Sequence, residues 1–191
     1  MPIENWIWMG LIPGLPLLLS VFYGLAKGLF RWELSRKWVS VSLILTLLIC
    51  FLLSFLSLLD LVGQPEGTAL VDRWAIWIGV GVGPKALVGG FALRFDPLSS
   101  VFALLVSGVG FLIALYSVVH MESGAGEERS YDRFFGFFIF QLFAMLALVL
   151  ADNLLILLLG FAMLVMSTQL LTAFSYSDPA QSRGATWAGT A

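Results

Sequence analysis

Five long blocks of apolar residues, separated by short polar stretches, dominate the pattern along this 191-residue chain. A helix needs about 20 apolar residues to cross the hydrocarbon layer of a membrane. The blocks that reach this length lie at about 6–26, 39–61, 97–119, 134–151 and 154–176, the first interrupted by Pro13 and Pro16. They predict an all-α integral membrane protein whose single membrane domain covers 1–176. Between the second and third spans the period changes. Gly63-Gln64-Pro65-Glu66-Gly67 reads as a turn, and Trp74, Ile76, Ile78 and Val80 then alternate with other residues, as in a half-buried strand. Gly81-Val82-Gly83-Pro84-Lys85 supplies a second turn, and Leu87, Phe91, Leu93 and Phe95 give a second strand-like run. The expectation is a β-hairpin over 68–95 on the extracytoplasmic face, and because an isolated hairpin is marginal in water, it should pack on the helices or on a partner. The small and polar residues of 177–191 predict a cytoplasmic tail.

Composition agrees with the pattern. Hydrophobic residues make up 60% of the chain and charged residues 12%, with a mean hydropathy of +0.97. A soluble domain carries about twice that share of charge. The net charge of −2 argues against nucleic acid, which requires a basic face. No basic residue precedes the first apolar block, unlike a secretory signal, so that block should stay in the membrane. Lys27, Arg31, Arg36, Lys37, Arg129, Arg133 and Arg183 fall on one side of the predicted spans, and Arg73, Lys85 and Arg94 on the other. The positive-inside rule then places the N-terminus outside and the C-terminus in the cytoplasm. Trp6, Trp8, Trp32, Trp38, Trp74 and Trp77 lie near span ends or in the hairpin, where indole rings meet the membrane interface.

The chemistry inside the spans is sparse. No Lys, Arg, Asp or Glu falls near a span midpoint, where a charge costs about 2.5–3.5 kcal/mol and persists where function uses it. Asp60, Asp96 and Asp152 sit at span ends, and Asp96-Pro97 and Asp152-Asn153 suit helix capping better than catalysis. Glu127, Glu128, Arg129, Asp132 and Arg133 read as a solvated loop, and His120 as an interfacial end group. Gly10-x-x-x-Gly14 and Gly24-x-x-x-Gly28 match the close-packing motif of membrane helices. Gln141, Ser167, Thr168, Gln169 and Thr172 can hydrogen-bond between helices. Cys50, the one cysteine, excludes a disulfide framework and predicts a small lipid-facing or packed side chain. Neither a phosphate-binding Gly loop nor ligand pairs for haem or iron–sulfur clusters are found, so no cofactor or metal is expected.

From the third span onward the chain resembles a known family. The segments Phe95-Asp96-Pro97-Leu98-Ser99, Ser107-Gly108-Val109-Gly110-Phe111, Tyr131-x-Arg133-Phe134-Phe135 and Leu150-Ala151-Asp152-Asn153-Leu154 resemble the antiporter-like subunits of respiratory complex I, chain L of NADH-quinone oxidoreductase in particular. Multisubunit sodium/proton antiporters and membrane-bound hydrogenases are similar. The resemblance implies a bacterial-type inner membrane, partners among the membrane subunits of such an assembly, and motif positions at Asp96, Arg133, Asp152, Asn153 and Gly160. It also carries departures. Gly160-Phe161-Ala162 stands where the family has Gly-Trp-Glu, so Ala162 replaces a proton-path glutamate, and Ala114 stands where histidine is common. The family continues through further helices bearing lysines. The expectation is therefore a truncated, chain-L-like structural or accessory subunit that is non-catalytic by itself. The alternatives are one half of a split cation/proton antiporter or inorganic-carbon transporter, a free-standing membrane scaffold, and a degenerate gene product.

Overall fold

The computed structural model describes residues 3–4, 7–28, 34–64, 69–80, 87–122 and 131–172, with backbone alone at 3–4, 7–8, 28, 73–80, 87–90 and 121–122. Five helices carry the fold: α1 (Ile7–Gly28), α2 (Arg36–Val62), α3 (Pro97–Glu122), α4 (Tyr131–Val149) and α5 (Leu154–Thr172). All five are long and apolar enough to cross a membrane, the shortest, at 19 residues, spanning about 28 Å. The expected tail at 177–191, the end of the fifth span beyond Thr172, Trp6, Trp32 and the turn at 81–85 lie outside the described residues.

Local chemistry sets the helix starts. Ser35 caps α2, its hydroxyl accepting the Trp38 N–H at 3.4 Å. Asp96 caps α3, and Asn153 caps α5 by accepting the Ile156 N–H at 3.0 Å. Helix α1 runs through both prolines. Pro16 has no N–H to offer Ile12, four residues back, and the Cys50 thiol of α2 donates to that Ile12 carbonyl at 3.4 Å. Cys50 is thus a packed residue rather than a lipid-facing one.

Helix α4 packs against each of the other four helices, while α5 packs chiefly on α4. Two buried clusters fill the bundle. One, around Tyr23, Leu43, Ala114 and Phe135, lies toward the α1–α2 connection. The other, around Met9, Ile12, Phe95, Leu146 and Leu150, lies at the opposite end, under a small sheet.

That sheet has three strands rather than the two expected. Strand β1 (Ile3–Glu4) pairs in parallel with β2 (Leu70–Val80), which pairs antiparallel with β3 (Leu87–Phe95). The hairpin is built into the bundle: Leu70 and Phe95, paired at its base, are both buried in the second cluster. The simple alternation from Trp74 to Val80 does not hold. Register shifts between Arg73 and Ala75 and between Ile76 and Ile78 leave Trp74 and Trp77 as extra residues opposite the shorter β3.

The fourth apolar block also differs from expectation. Helix α4 starts at Tyr131 rather than near Phe134 and ends at Val149. Leu150 and Ala151 leave the helix and run along the free edge of β3, where the Arg94 N–H donates to the Leu150 carbonyl at 2.8 Å and the Asp152 N–H to the Ala92 carbonyl at 3.3 Å. An antiparallel bridge links Leu93 with Ala151. The α4–α5 connection thereby covers an edge that would otherwise expose unpaired backbone groups.

Candidate functional site

Of the positions that the resemblance singles out, Asp96, Asp152 and Asn153 lie at the sheet end of the bundle, Arg133 at the opposite end and Gly160 between them. At the sheet end, Asp96 and Ser99 bond reciprocally: the Ser99 N–H donates to Asp96 Oδ1 and the Asp96 N–H to Ser99 Oγ, both at 2.7 Å. This is a capping box with serine in place of the usual glutamate. Arg94 stands between two carboxylates, its Nε 3.9 Å from Asp96 Oδ2 and its Nη1 3.8 Å from Asp152 Oδ1. Asp152 therefore does not cap α5; Asn153 does, and Asp152 faces Arg94 instead.

At the other end the structure corrects a reading of the sequence. Asp132 is not in a solvated loop but buried on α4, 6% exposed, and accepts a hydrogen bond from Lys27 Nζ of α1 at 2.6 Å. Arg133, the next residue, is exposed and lines the same cavity as Lys27 and Asp132. Tyr131 Oη lies 2.7 Å from Ser40 Oγ, its ring 5.6 Å beneath the Arg36 guanidinium, and Tyr23 Oη lies 2.6 Å from Ser42 Oγ. His120 stacks on Tyr116, with ring centroids 5.5 Å apart. Glu127, Glu128 and Arg129 lie outside the described residues.

Between the ends the described side chains are uncharged. From Asp132 to Val149 helix α4 rises about 26 Å. Polar groups on that stretch are amides and hydroxyls: Gln141 Oε1 accepts hydrogen bonds from Ser167 and, at 3.2 Å, from Thr168 of α5. Such groups can order water and lock two helices, but they do not titrate near neutral pH. Gly160 lies where α5 meets α4, and a Cβ there would sit 2.9 Å from the Leu148 backbone nitrogen, so glycine is what permits the approach. Ala162 is exposed on α5, and Ala114 is fully buried. No group of three or more potential metal ligands occurs among the described residues.

One glycine of each α1 motif, Gly14 and Gly24, borders open space. A Cβ on Gly14 or Gly24 would meet nothing within 4 Å, so neither residue mediates close packing within this chain. The side-chain surroundings of Gly28 lie outside the described residues. The tight contacts fall instead at Gly160 and at Gly110, where a Cβ would meet Leu142 at 2.5 Å. Sequence spacing does not disclose the Lys27–Asp132 pair, in which the Asp132 carboxylate is buried. The only hint was that both residues border predicted spans on the same side.

Residues 85–135 match the family described as NADH-Ubiquinone oxidoreductase (complex I), chain 5 N-terminus. The chain is 38% identical over 104 residues to NADH-quinone oxidoreductase subunit L of Escherichia coli (strain K12), an alignment covering 54% of this chain and 16% of that protein. It is 31% identical over 173 residues to subunit L of Rhodobacter capsulatus, covering 88% of this chain and 23% of the relative. It is 30% identical over 180 residues to the chloroplastic NAD(P)H-quinone oxidoreductase subunit 5 of Cryptomeria japonica, covering 93% and 22%. The chain thus spans less than a quarter of the length of these relatives.

Proposed function

We infer that this chain, related in sequence to the N-terminal portion of complex I chain L and its chain 5 counterparts, serves as a membrane subunit of an NADH-quinone oxidoreductase or a related redox-driven complex. Its role there is to hold neighbouring subunits together rather than to carry ions by itself. A hydrogenase or antiporter assembly is a further setting of the same kind. The observation that carries this reading is the separation of charge. The described charged side chains cluster at the two ends of the helices, and Ala162 offers a methyl group where the resemblance expects a proton-accepting glutamate. A proton relay needs titratable groups or ordered water between its ends, and a carboxylate within the membrane is the usual means. Lys27, Arg36, Lys37 and Arg133 gather at one end, which supports placing that end, and the C-terminus with it, in the cytoplasm of a bacterial-type inner membrane. The sheet then faces outward, where it can tie adjacent subunits.

Two measurements test this. Capture of the chain from native membranes in mild detergent should bring redox or antiporter-type subunits with it, and recovery of the chain alone would overturn the assignment to a complex. Proteoliposomes holding the purified chain should show no proton or sodium flux above empty vesicles, and a flux would overturn the non-conducting role.

A second reading, one half of a split cation/proton antiporter or inorganic-carbon carrier, is favoured by α5. Leu155, Leu158, Phe161, Val165 and Met166 are all exposed on that helix, a surface that further helices from another chain would cover. Ala162→Glu separates the two readings. It changes ion coupling in the complex if α5 borders a path, and only lowers stability if it does not.

A further inference from the structure

A groove runs between α1 and α5 with α4 as its floor. It opens into a cavity of about 320 Å³ near Lys27 and another of about 290 Å³ toward the sheet. We propose that this groove is a binding site for an anionic phospholipid, whose phosphate is held by Lys27 and Arg133 and whose acyl chain lies along Phe137, Phe140 and Leu170.

The first support is empty space where α1 carries no side chains. A Cβ at Gly24 or Gly14 would touch nothing within 4 Å, so the groove stays open along α1 although Lys27 reaches across to α4. The second is charge. The cavity near Lys27 holds Lys27 and Arg133 against one carboxylate, Asp132. Asp132 fixes the Lys27 ammonium at the rim, and the exposed Arg133 guanidinium remains to meet a phosphodiester. The third is reach. Half of a hydrocarbon layer is about 15 Å deep, or about ten residues of helix. An acyl chain entering beside Lys27 would therefore end near Leu17, which lines the second cavity. An apolar helix from a partner would fit the open space beside Gly14 and Gly24, but it would bring no anion to the positive mouth. Charge thus favours the lipid. Basic clefts between helices on the positively charged side of a membrane suit acidic headgroups.

The test uses the full chain, delipidated in a neutral detergent and titrated separately with dioleoylphosphatidylglycerol, dioleoylphosphatidylcholine and inorganic phosphate. Native mass spectrometry and thermal melting provide the readouts. Phosphatidylglycerol should be retained and should raise Tm, while phosphatidylcholine and free phosphate should do neither. Arg133→Gln, an exposed change that leaves the Lys27–Asp132 pair intact, should weaken phosphatidylglycerol binding about fivefold, as expected for one lost cation at a lipid surface. Gly24→Leu should fill the groove and abolish retention without loss of helicity. Equal binding of the two lipids, an equal effect of free phosphate, or undiminished binding by both variants would overturn the proposal. So would efficient cross-linking of Gly24→Cys to a partner helix in the native complex, which would make that helix the occupant.

Discussion

At the sheet end of the bundle the connections are made largely by backbone. Strand β3 is hydrogen-bonded on one side by β2 and on the other by Leu150–Asp152, and Asp96 and Asn153 close the first turns of α3 and α5. At the opposite end no sheet is present among the described residues, and side chains make the ties. Lys27 joins α1 to α4 through Asp132, Ser40 joins α2 to α4 through Tyr131, and Tyr23 joins α1 to α2 through Ser42. The difference shows how the chain manages its polar groups without charge in the middle of the membrane. Backbone pairing tolerates changes of side chain, whereas the caps at Asp96 and Asn153 each need their own side chain and the Lys27 end depends on several groups being present together. The motif residues Asp96, Asp152 and Asn153 fall at the first kind of end and serve its geometry, while Arg133 falls at the second and faces outward.

Three substitutions break this contrast most directly. Phe95→Ala should have the largest effect, because Phe95 is fully buried beneath the sheet. A loss of about 3–5 kcal/mol is expected, readable as lower Tm and faster proteolysis of the 63–95 segment in detergent. Asp132→Ala should cost less, about 2 kcal/mol. A fully buried cation left without its partner would cost more, but the Lys27 side chain is 33% exposed and water screens it. Lys27→Met placed on Asp132→Ala should recover part of the loss, and no recovery would mean that Asp132 acts through something other than the ion pair. Asp96→Ala should cost about 1 kcal/mol, the worth of an N-cap. Ser99→Ala added to it should cost less than the sum of the two single changes, because both remove the same capping box.

Much of this architecture is legible in the amino-acid pattern, and the remainder is not for identifiable reasons. Apolar blocks about 20 residues long reveal spans because the hydrocarbon thickness sets their length, and the hairpin between α2 and α3 follows from the change of period after Gly67. Capping at Asp96 is readable from Asp-Pro alone. By contrast, Lys27 and Asp132 are 105 residues apart, and nothing local to either names the other. The bulges at Trp74 and Trp77 come from pairing an 11-residue strand with one of 9 residues, which the alternation within β2 cannot disclose. The edge pairing of Leu150 and Ala151 was hidden because both are apolar and continue the pattern of α4. The glycines illustrate the same limit: spacing marks Gly14 and Gly24, whereas the close approaches occur at Gly110 and Gly160, where the neighbouring helix decides.

The mildest effect is expected at Asp152. Asp152→Asn removes a charge 3.8 Å from Arg94 Nη1, but the Arg94 side chain is 50% exposed and the Asp152 side chain 23%. An ion pair of this exposure is worth about 0.5 kcal/mol or less and fades with added salt. The backbone bonds from Arg94 to Leu150 and from Asp152 to Ala92 survive the substitution, because neither uses the carboxylate. Asp152→Asn should therefore leave Tm almost unchanged at both low and high ionic strength, while Asp132→Ala lowers it under both conditions. A loss above about 1 kcal/mol for Asp152→Asn that disappears in salt would mean that charge, not backbone pairing, closes the sheet end. The two ends would then be built on the same principle.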